Sequence, residues 1–350
     1  MPTEVDRGGR SPRILMVRLS AIGDVIQAMP VACALRQRLP DAFLVWAVEQ
    51  PAAALLRGHR ALDELITLPR GWLKSPSTVW RLRRRLRAME FDVAVEAQGL
   101  TKAAILAWLS GAPRRLGFGD PWGRELSRWI NTELVDTTGP HVIDRNLQLL
   151  EPLGIESPTV RFQVPECLLD RVVAEEIIAD AGLEAGLAMI NSGAGWPSKL
   201  WPNDRYAAVA RHLGQTWGLP TLVVWGSTEE RAAAEQIAAD SDGQARVAPP
   251  TTLPELAALA RRARLCIGSD TGPLHLAAAV GTPCIGLYGP WPAEKHGPYG
   301  PKHVALQGKS YDGPTRKRRR APPELMKAIR VEHVCRACDQ ILQRDQRNVA

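Results

Sequence analysis

The sequence predicts an α/β protein built from two successive doubly wound parallel-sheet units, and three observations predict it. The chain has 350 residues, too many for one ordinary domain and suited to two of roughly 150–200. Short aliphatic or β-branched runs alternate with longer amphipathic stretches, the pattern of strands covered by helices, and the alternation restarts in the second half. Several strand-to-helix junctions carry polar turns of small residues, and such turns bind ligands in open α/β sheets. With 45% hydrophobic residues the chain can bury two sizeable cores.

In chain order, residues 1–12 lack the apolar stretch of a secretory signal and read as a disordered lead. Strands are expected at 14–18, 43–48, 92–96 and 114–117, separated by helices at 24–39, 51–58, 77–89 and 102–111. Gly154, Pro158 and Pro165 then interrupt the periodicity, so the first unit is assigned residues 13–160 and the second 161–350. The second set has strands at 187–191, 221–225, 246–248, 265–268 and 284–287, with helices at 204–215, 229–240, 254–262 and 273–280. Beyond Tyr288 the chain is rich in proline and glycine as far as Pro301, then basic at Arg316-Lys317-Arg318-Arg319-Arg320. Pro322-Pro323 ends that run, and a last helix at 324–342 closes the second domain. Two such units facing each other would leave a central cleft lined by the carboxyl ends of both sheets.

Lysine and arginine outnumber aspartate and glutamate 44 to 37, a formal charge of +7 that favours anionic partners such as phosphorylated sugars, nucleic acid or an anionic membrane. No uninterrupted apolar run reaches about 18 residues. The six cysteines are scattered, four of them in apolar or helical surroundings, as expected of buried thiols in the reducing cytoplasm. Cys335-Arg-Ala-Cys338 has C-x-x-C spacing, but no second Cys or His pair lies nearby, so it is not read as zinc or redox chemistry.

The most informative turn follows the strand at 265–268: Ser269-Asp270-Thr271-Gly272-Pro273-Leu274-His275. A polar turn that opens a helix presents unpaired N–H groups and a positive dipole end, which suits a phosphate. Asp270 and Thr271 are expected to supply capping oxygens, and His275, one helical turn beyond Thr271, to face the same side. In Asn191-Ser192-Gly193-Ala194-Gly195-Trp196-Pro197-Ser198-Lys199, small residues open the backbone and Lys199 is either a phosphate ligand or an ordinary solvated lysine. Glu229 and Glu230, after Gly226-Ser227-Thr228, suit ribose hydroxyls or merely decorate a helix start, and the sequence does not separate the two. In the first half, Ser20-Ala21-Ile22-Gly23-Asp24-Val25 puts a carboxylate at the first turn. Asp24 either caps the following helix or acts as a general base.

Taken in order, Ser20–Val25, Lys199-Leu200-Trp201-Pro202 and Ser269–Ala278 with Pro283, Leu287-Tyr288-Gly289-Pro290 and Gly297-Pro298-Tyr299-Gly300 resemble the bacterial ADP-heptose:lipopolysaccharide heptosyltransferases, glycosyltransferase family 9. The resemblance spans residues 14–342. It implies a GT-B fold of two Rossmann-like domains, acceptor on the first and nucleotide sugar on the second, with no metal and no cofactor. Carried over by position, Asp24 is the catalytic base and Lys199 binds the donor phosphates. Asp270, Thr271, Gly272 and His275 hold the diphosphate and sugar, Glu229 the ribose, and Ser192 and Gly193 lie against the phosphates.

The implied activity is an inverting, metal-independent transfer of heptose from ADP-heptose to an anionic lipopolysaccharide-core glycolipid. Another nucleotide sugar and acceptor, or an inactive nucleotide-sugar-binding relative, are the alternatives. Arg70 and Lys74 and the arginines at 81–87, Arg84 among them, suit an anionic acceptor, a membrane surface at the cytoplasmic face of the inner membrane, or simply a solvated helix face. The 316–320 run departs from the cysteine-containing stretch the family often shows there, and a flexible solvated loop is its simplest reading. Charge alone raises a nucleic-acid binder, but no nucleic-acid module or interleaved aromatics are present. A nicotinamide enzyme would need a G-x-G-x-x-G after a first strand, and neither half has one.

Overall fold

The computed structural model describes residues 10–349. Residues 1–9 of the expected lead lie outside the described residues, and Arg10 is tied to Glu90 at 3.2 Å and Asp92 at 2.9 Å. The chain divides into two compact units, Met1–Pro165 and Glu166–Ala350.

The first unit runs β1 (Arg13–Val17), α1 (Ile22–Ile26), α2 (Met29–Arg38), β2 (Phe43–Glu49), β3 (Glu64–Leu68), α3 (Pro76–Ala88), β4 (Val93–Glu96), α4 (Thr101–Leu109), β5 (Arg114–Phe118), α5 (Ser127–Ile130), β6 (Glu133–Val135) and α6 (Val142–Gln148). Its strands are all parallel, in the order β3-β2-β1-β4-β5-β6. Burial on both faces explains the near-continuous apolar runs of the central strands. One face is packed by Leu82 and Leu86 of α3 and by Ala103, Leu106 and Ala107 of α4, against Leu15, Val17, Val45 and Ala47. Ser75 caps α3 by accepting from the Thr78 N–H at 3.3 Å, and Pro76 fits its first turn, where no intrahelical N–H is required.

The second unit runs α7 (Leu168–Asp180), β7 (Ala188–Asn191), α8 (Asn203–Trp217), β8 (Thr221–Val224), α9 (Thr228–Ala239), β9 (Ala245–Val247), α10 (Leu253–Arg262), β10 (Leu265–Ser269), α11 (Gly272–Ala279), β11 (Cys284–Tyr288), α12 (Ala293–His296), β12 (Val304–Gln307), α13 (Thr315–Arg318), α14 (Glu324–Lys327) and α15 (Val331–Val349). The order β12-β11-β10-β7-β8-β9 repeats that of the first unit when strands are counted from the unit's own start. Its core joins Ile190, Val223, Ile267 and Ile285 of the sheet to Tyr206 and Leu213 of α8 and Val334, Cys338 and Ile341 of α15.

Three expected helices differ. The helix at 24–39 is two, because the chain turns at Gln27-Ala28 and Pro30, lacking an N–H, fits the first turn of α2. The segment at 51–58 is a short 3-10 helix, Ala52–Leu56. The helix at 324–342 is also two, with α14 ending before Ala328 and α15 starting at Val331. Three strands went unpredicted, β3, β6 and β12. All are sheet edges, short or half-exposed, so they lack the apolar run that marks a central strand.

Candidate functional site

The predicted turn at 20–25 follows β1, and those at 191–199 and 269–275 follow β7 and β10, all where the strand order reverses, while the turn at 226–230 follows β8. In the second unit β7 and β10 are neighbours, in register Gly268 to Asn191, so the turns after them are brought together. Lys199 ends a 3-10 turn, Pro197–Lys199, and the loop is pinned just beyond it by Trp201. That indole is buried, donates to the Ile329 carbonyl at 2.9 Å and meets the Tyr206 ring edge-on at 4.8 Å.

From this anchored loop Lys199 Nζ donates to Asp270 Oδ2 at 2.5 Å and to the Asp270 carbonyl at 3.0 Å, over the Trp291 ring at 4.4 Å. The second carboxylate oxygen of Asp270 lies 3.0 Å from His275 Nε2. His275 does face the turn, as its position on α11 predicts. Burial by itself would raise the Asp270 pKa. The His275 hydrogen bond and the charges of Lys199, His275 and His296 outweigh it and hold the carboxyl well below the usual range.

The capping expectation needs correcting. The Thr271 hydroxyl donates to the Ser269 carbonyl at 3.1 Å and accepts from Asn191 Nδ2 at 3.1 Å, and no side chain caps α11. Asp270 is held by the lysine and histidine instead. With Pro273 bringing no N–H, the start of α11 keeps its positive end uncapped by side chains. On the facing loop, Ser192 and Ser198 are each only 2% exposed, and among the described residues their hydroxyls are buried without a hydrogen-bond partner. A buried hydroxyl with no partner carries a desolvation cost that an anionic oxygen would relieve.

Glu229 and Glu230 part company in the structure. Glu230 accepts from the Gly226 N–H at 2.7 Å and its carboxylate lies against Gly193, where a Cβ would fall 2.2 Å from its carboxyl carbon. Glu229 is exposed and accepts from the Ser227 hydroxyl at 2.8 Å, which holds its pKa below the usual value. The Arg316–Arg320 run approaches this loop too: Arg319 stacks on Trp196 at 4.2 Å.

In the first unit Asp24 stands in the first turn of α1. Its carboxylate accepts from the Ala21 N–H at 3.1 Å and pairs with Arg18 Nη2 at 3.0 Å. Arg18 is buried and also donates to the Ala97 carbonyl. Glu96, fully buried at the end of β4, accepts from the N–H groups of Gln98 and Gly99 at 2.8 and 2.7 Å and from Asn131 at 3.2 Å. Burial raises its pKa against those bonds and the nearby charge of Arg18. Arg70, Lys74 and Arg84 are exposed, Arg84 lying 5.7 Å over the Trp80 ring. Sequence reasoning passed over Arg18, Glu96 and Trp291; Arg18 had a signal, since it sits two residues before Ser20 at the end of an apolar strand.

The sequence profile of glycosyltransferase family 9 (heptosyltransferase) matches residues 79–325. The chain is 30% identical over 303 residues to lipopolysaccharide heptosyltransferase 1 of Pseudomonas aeruginosa, covering 84% of this chain and 83% of the relative. A solved glycosyl transferase family 9 structure from Veillonella parvula is 25% identical and superposes with a TM-score of 0.84, over 95% of this chain and 98% of that one. For the fold alone, Escherichia coli heptosyltransferase WaaC, solved with ADP, superposes with a TM-score of 0.74 at 23% identity, over 94% and 99% of the two chains. The chain belongs to glycosyltransferase family 9, the heptosyltransferases, and is a glycosyltransferase with the GT-B fold.

Proposed function

We propose that this enzyme moves a heptose from ADP-heptose to an anionic glycolipid of the lipopolysaccharide-core type, inverting the anomeric carbon without a metal ion. The observation that carries the donor assignment is the cluster of Lys199, Asp270 and His275 beside two partnerless buried serine hydroxyls and an uncapped helix start. That set suits a diphosphate. The relative of Pseudomonas aeruginosa is named for the heptosyl transfer, and the WaaC structure was solved with ADP.

The division of labour follows from charge. As the bond from the anomeric carbon to the diphosphate oxygen breaks, negative charge grows on the leaving phosphate, where Lys199 and the start of α11 stabilise it. Lys199 thus supplies positive charge that a divalent cation would otherwise bring. Ser192 and Ser198 donate to the phosphate oxygens, Gly272 leaves room beside them, Gly193 admits the Glu230 carboxylate, and Thr271 keeps the turn in shape. Glu229 accepts from the ribose hydroxyls, while Glu230 is committed to Gly226.

Asp24, fixed by Arg18 and the Ala21 N–H, takes the proton of the acceptor hydroxyl as that oxygen attacks the face opposite the departing diphosphate. Arg70 and Lys74, in the stretch before α3, bind anionic groups of the acceptor. An acceptor of this kind places the enzyme in the cytoplasm, at the inner face of the membrane. Among the described residues no helix is long and apolar enough to cross one.

The test is transfer from ADP-heptose to a deacylated core acceptor in excess EDTA, with the product's anomeric configuration read by NMR. Inversion at an undiminished rate is expected. Retention, loss of activity in EDTA, or turnover only with a different nucleotide sugar would overturn the corresponding part of the reading.

A further inference from the structure

The three helices α3, α4 and α5 carry tryptophans that their packing does not use. Trp80 on α3 is 61% exposed, Trp108 on α4 is 51% exposed and Trp129 on α5 is 87% exposed. These helices are neighbours in one layer, α4 packing against both α3 and α5. The inward residues of α3 and α4 fill the core, and the outward indoles of the three helices are no part of it. Single exposed apolar residues need no explanation, but three indoles on adjacent helices form a surface that does.

The charge of the same layer is one-sided. Helix α3, Pro-Ser-Thr-Val-Trp-Arg-Leu-Arg-Arg-Arg-Leu-Arg-Ala, holds five arginines and no carboxylate, and neither α4 nor α5 contains an Asp or Glu. Arg85 pairs with Glu64 at 2.5 Å, and Arg128 of α5 with Asp120 at 2.7 Å. Among the described residues Arg81, Arg84 and Arg87 have no ion-pair partner. Indoles favour the boundary between headgroups and acyl chains, and arginines favour anionic headgroups.

We infer that the outer face of α3, α4 and α5 docks the enzyme on an anionic bilayer, with Trp80, Trp108 and Trp129 seated at the headgroup boundary and Arg81, Arg84 and Arg87 against lipid phosphates. The inference deepens the reading of a glycolipid acceptor, because it names the surface by which the enzyme meets the membrane that holds it. The partner is the lipid headgroup layer itself, so docking needs no acceptor.

The experiment is co-sedimentation of the full chain with acceptor-free vesicles, phosphatidylglycerol mixed with phosphatidylethanolamine against phosphatidylcholine alone. Binding is expected only to the anionic vesicles, with a blue shift of tryptophan emission and loss in high salt. Trp80→Ser, Trp108→Ser and Trp129→Ser together should weaken it by about tenfold or more. Arg81→Ser, Arg84→Ser and Arg87→Ser together should weaken it on the order of a hundredfold, at roughly fivefold per arginine. Calorimetry of ADP binding to each triple variant reports that the fold is intact. Absence of binding to anionic vesicles, binding that survives both triple variants, or a solution dimer that the tryptophan variant dissolves would overturn the inference. Transfer to the deacylated acceptor is measured alongside: if it fails while vesicle binding behaves as stated, the transferase reading falls and the docking face stands.

Discussion

The two units share one strand order and put their functional turn at the same place in it, yet the turns have opposite chemistry. In the first unit a carboxylate, Asp24, follows the first strand and is steadied by the buried Arg18. In the second a cation, Lys199, follows the equivalent strand and is steadied by the largely covered Asp270. A carboxylate stands at or just past the end of each fourth strand, but the buried Glu96 is surrounded by backbone amides and Asn131, whereas the largely covered Asp270 meets Lys199 and His275. The same Rossmann-like scaffold therefore carries a carboxylate at one turn and a cation at the equivalent one, and the proposed division of labour rests on that difference.

The largest effect that could break this comparison is on turnover. Asp24→Asn should lower kcat by roughly 10²- to 10⁴-fold in a transfer assay, since the amide cannot take the acceptor's proton. Lys199→Ala should lower kcat by on the order of 10²-fold or more, because the charge that stabilises the leaving phosphate is gone. Equal loss of activity with the two variants exchanged in their effect on donor affinity would mean the roles are reversed.

Smaller effects sharpen the contrast between the carboxylates of Asp270 and Glu96. The pKa of Asp270 is depressed, so its contribution to stability is present above the ordinary carboxylate value and is lost only as pH falls through its much lower folded value. Asp270→Asn should therefore cost about 3 kcal/mol at neutral pH, read by denaturant unfolding, since it leaves Lys199 without its partner. Glu96 is the reverse case. Its raised pKa penalises the folded state once pH exceeds the folded value, and the penalty vanishes below the ordinary value. Glu96→Gln removes that penalty, so the stability of the variant relative to the wild type should rise between pH 5 and pH 8, read by denaturant unfolding. The glutamine keeps an oxygen for the Gln98 and Gly99 amides, and a flip of the Asn131 amide, whose Nδ2 faces the Glu96 carboxylate, turns its Oδ1 to the new NH2.

Most of the sheet strands were legible because central parallel strands are apolar on both faces. The edge strands β3, β6 and β12 were not, since one side of each ladder is open and nothing demands a continuous apolar run. Helix breaks at Ala28 and Ala328–Arg330 were hidden because the flanking apolar periodicity runs on across them. The turns at Asp24, Lys199 and Asp270 were legible from residue type and position alone. Their internal wiring was not: which oxygen Lys199 takes, whether Thr271 caps, and which of Glu229 and Glu230 turns toward Gly193 depend on contacts between segments far apart in sequence. Arg18 and Glu96 went unnoticed because a charge at a strand end looks like solvent exposure until the sheet above it is built.

The division of labour between the units is tested most directly by calorimetric titration of ADP into the wild-type protein, Asp24→Asn and Lys199→Ala, without metal. The account predicts ADP affinity unchanged in Asp24→Asn and weakened by roughly 10- to 100-fold in Lys199→Ala, the worth of a charge-assisted phosphate contact. Unchanged affinity in Lys199→Ala, or an equal loss in both variants, would contradict it.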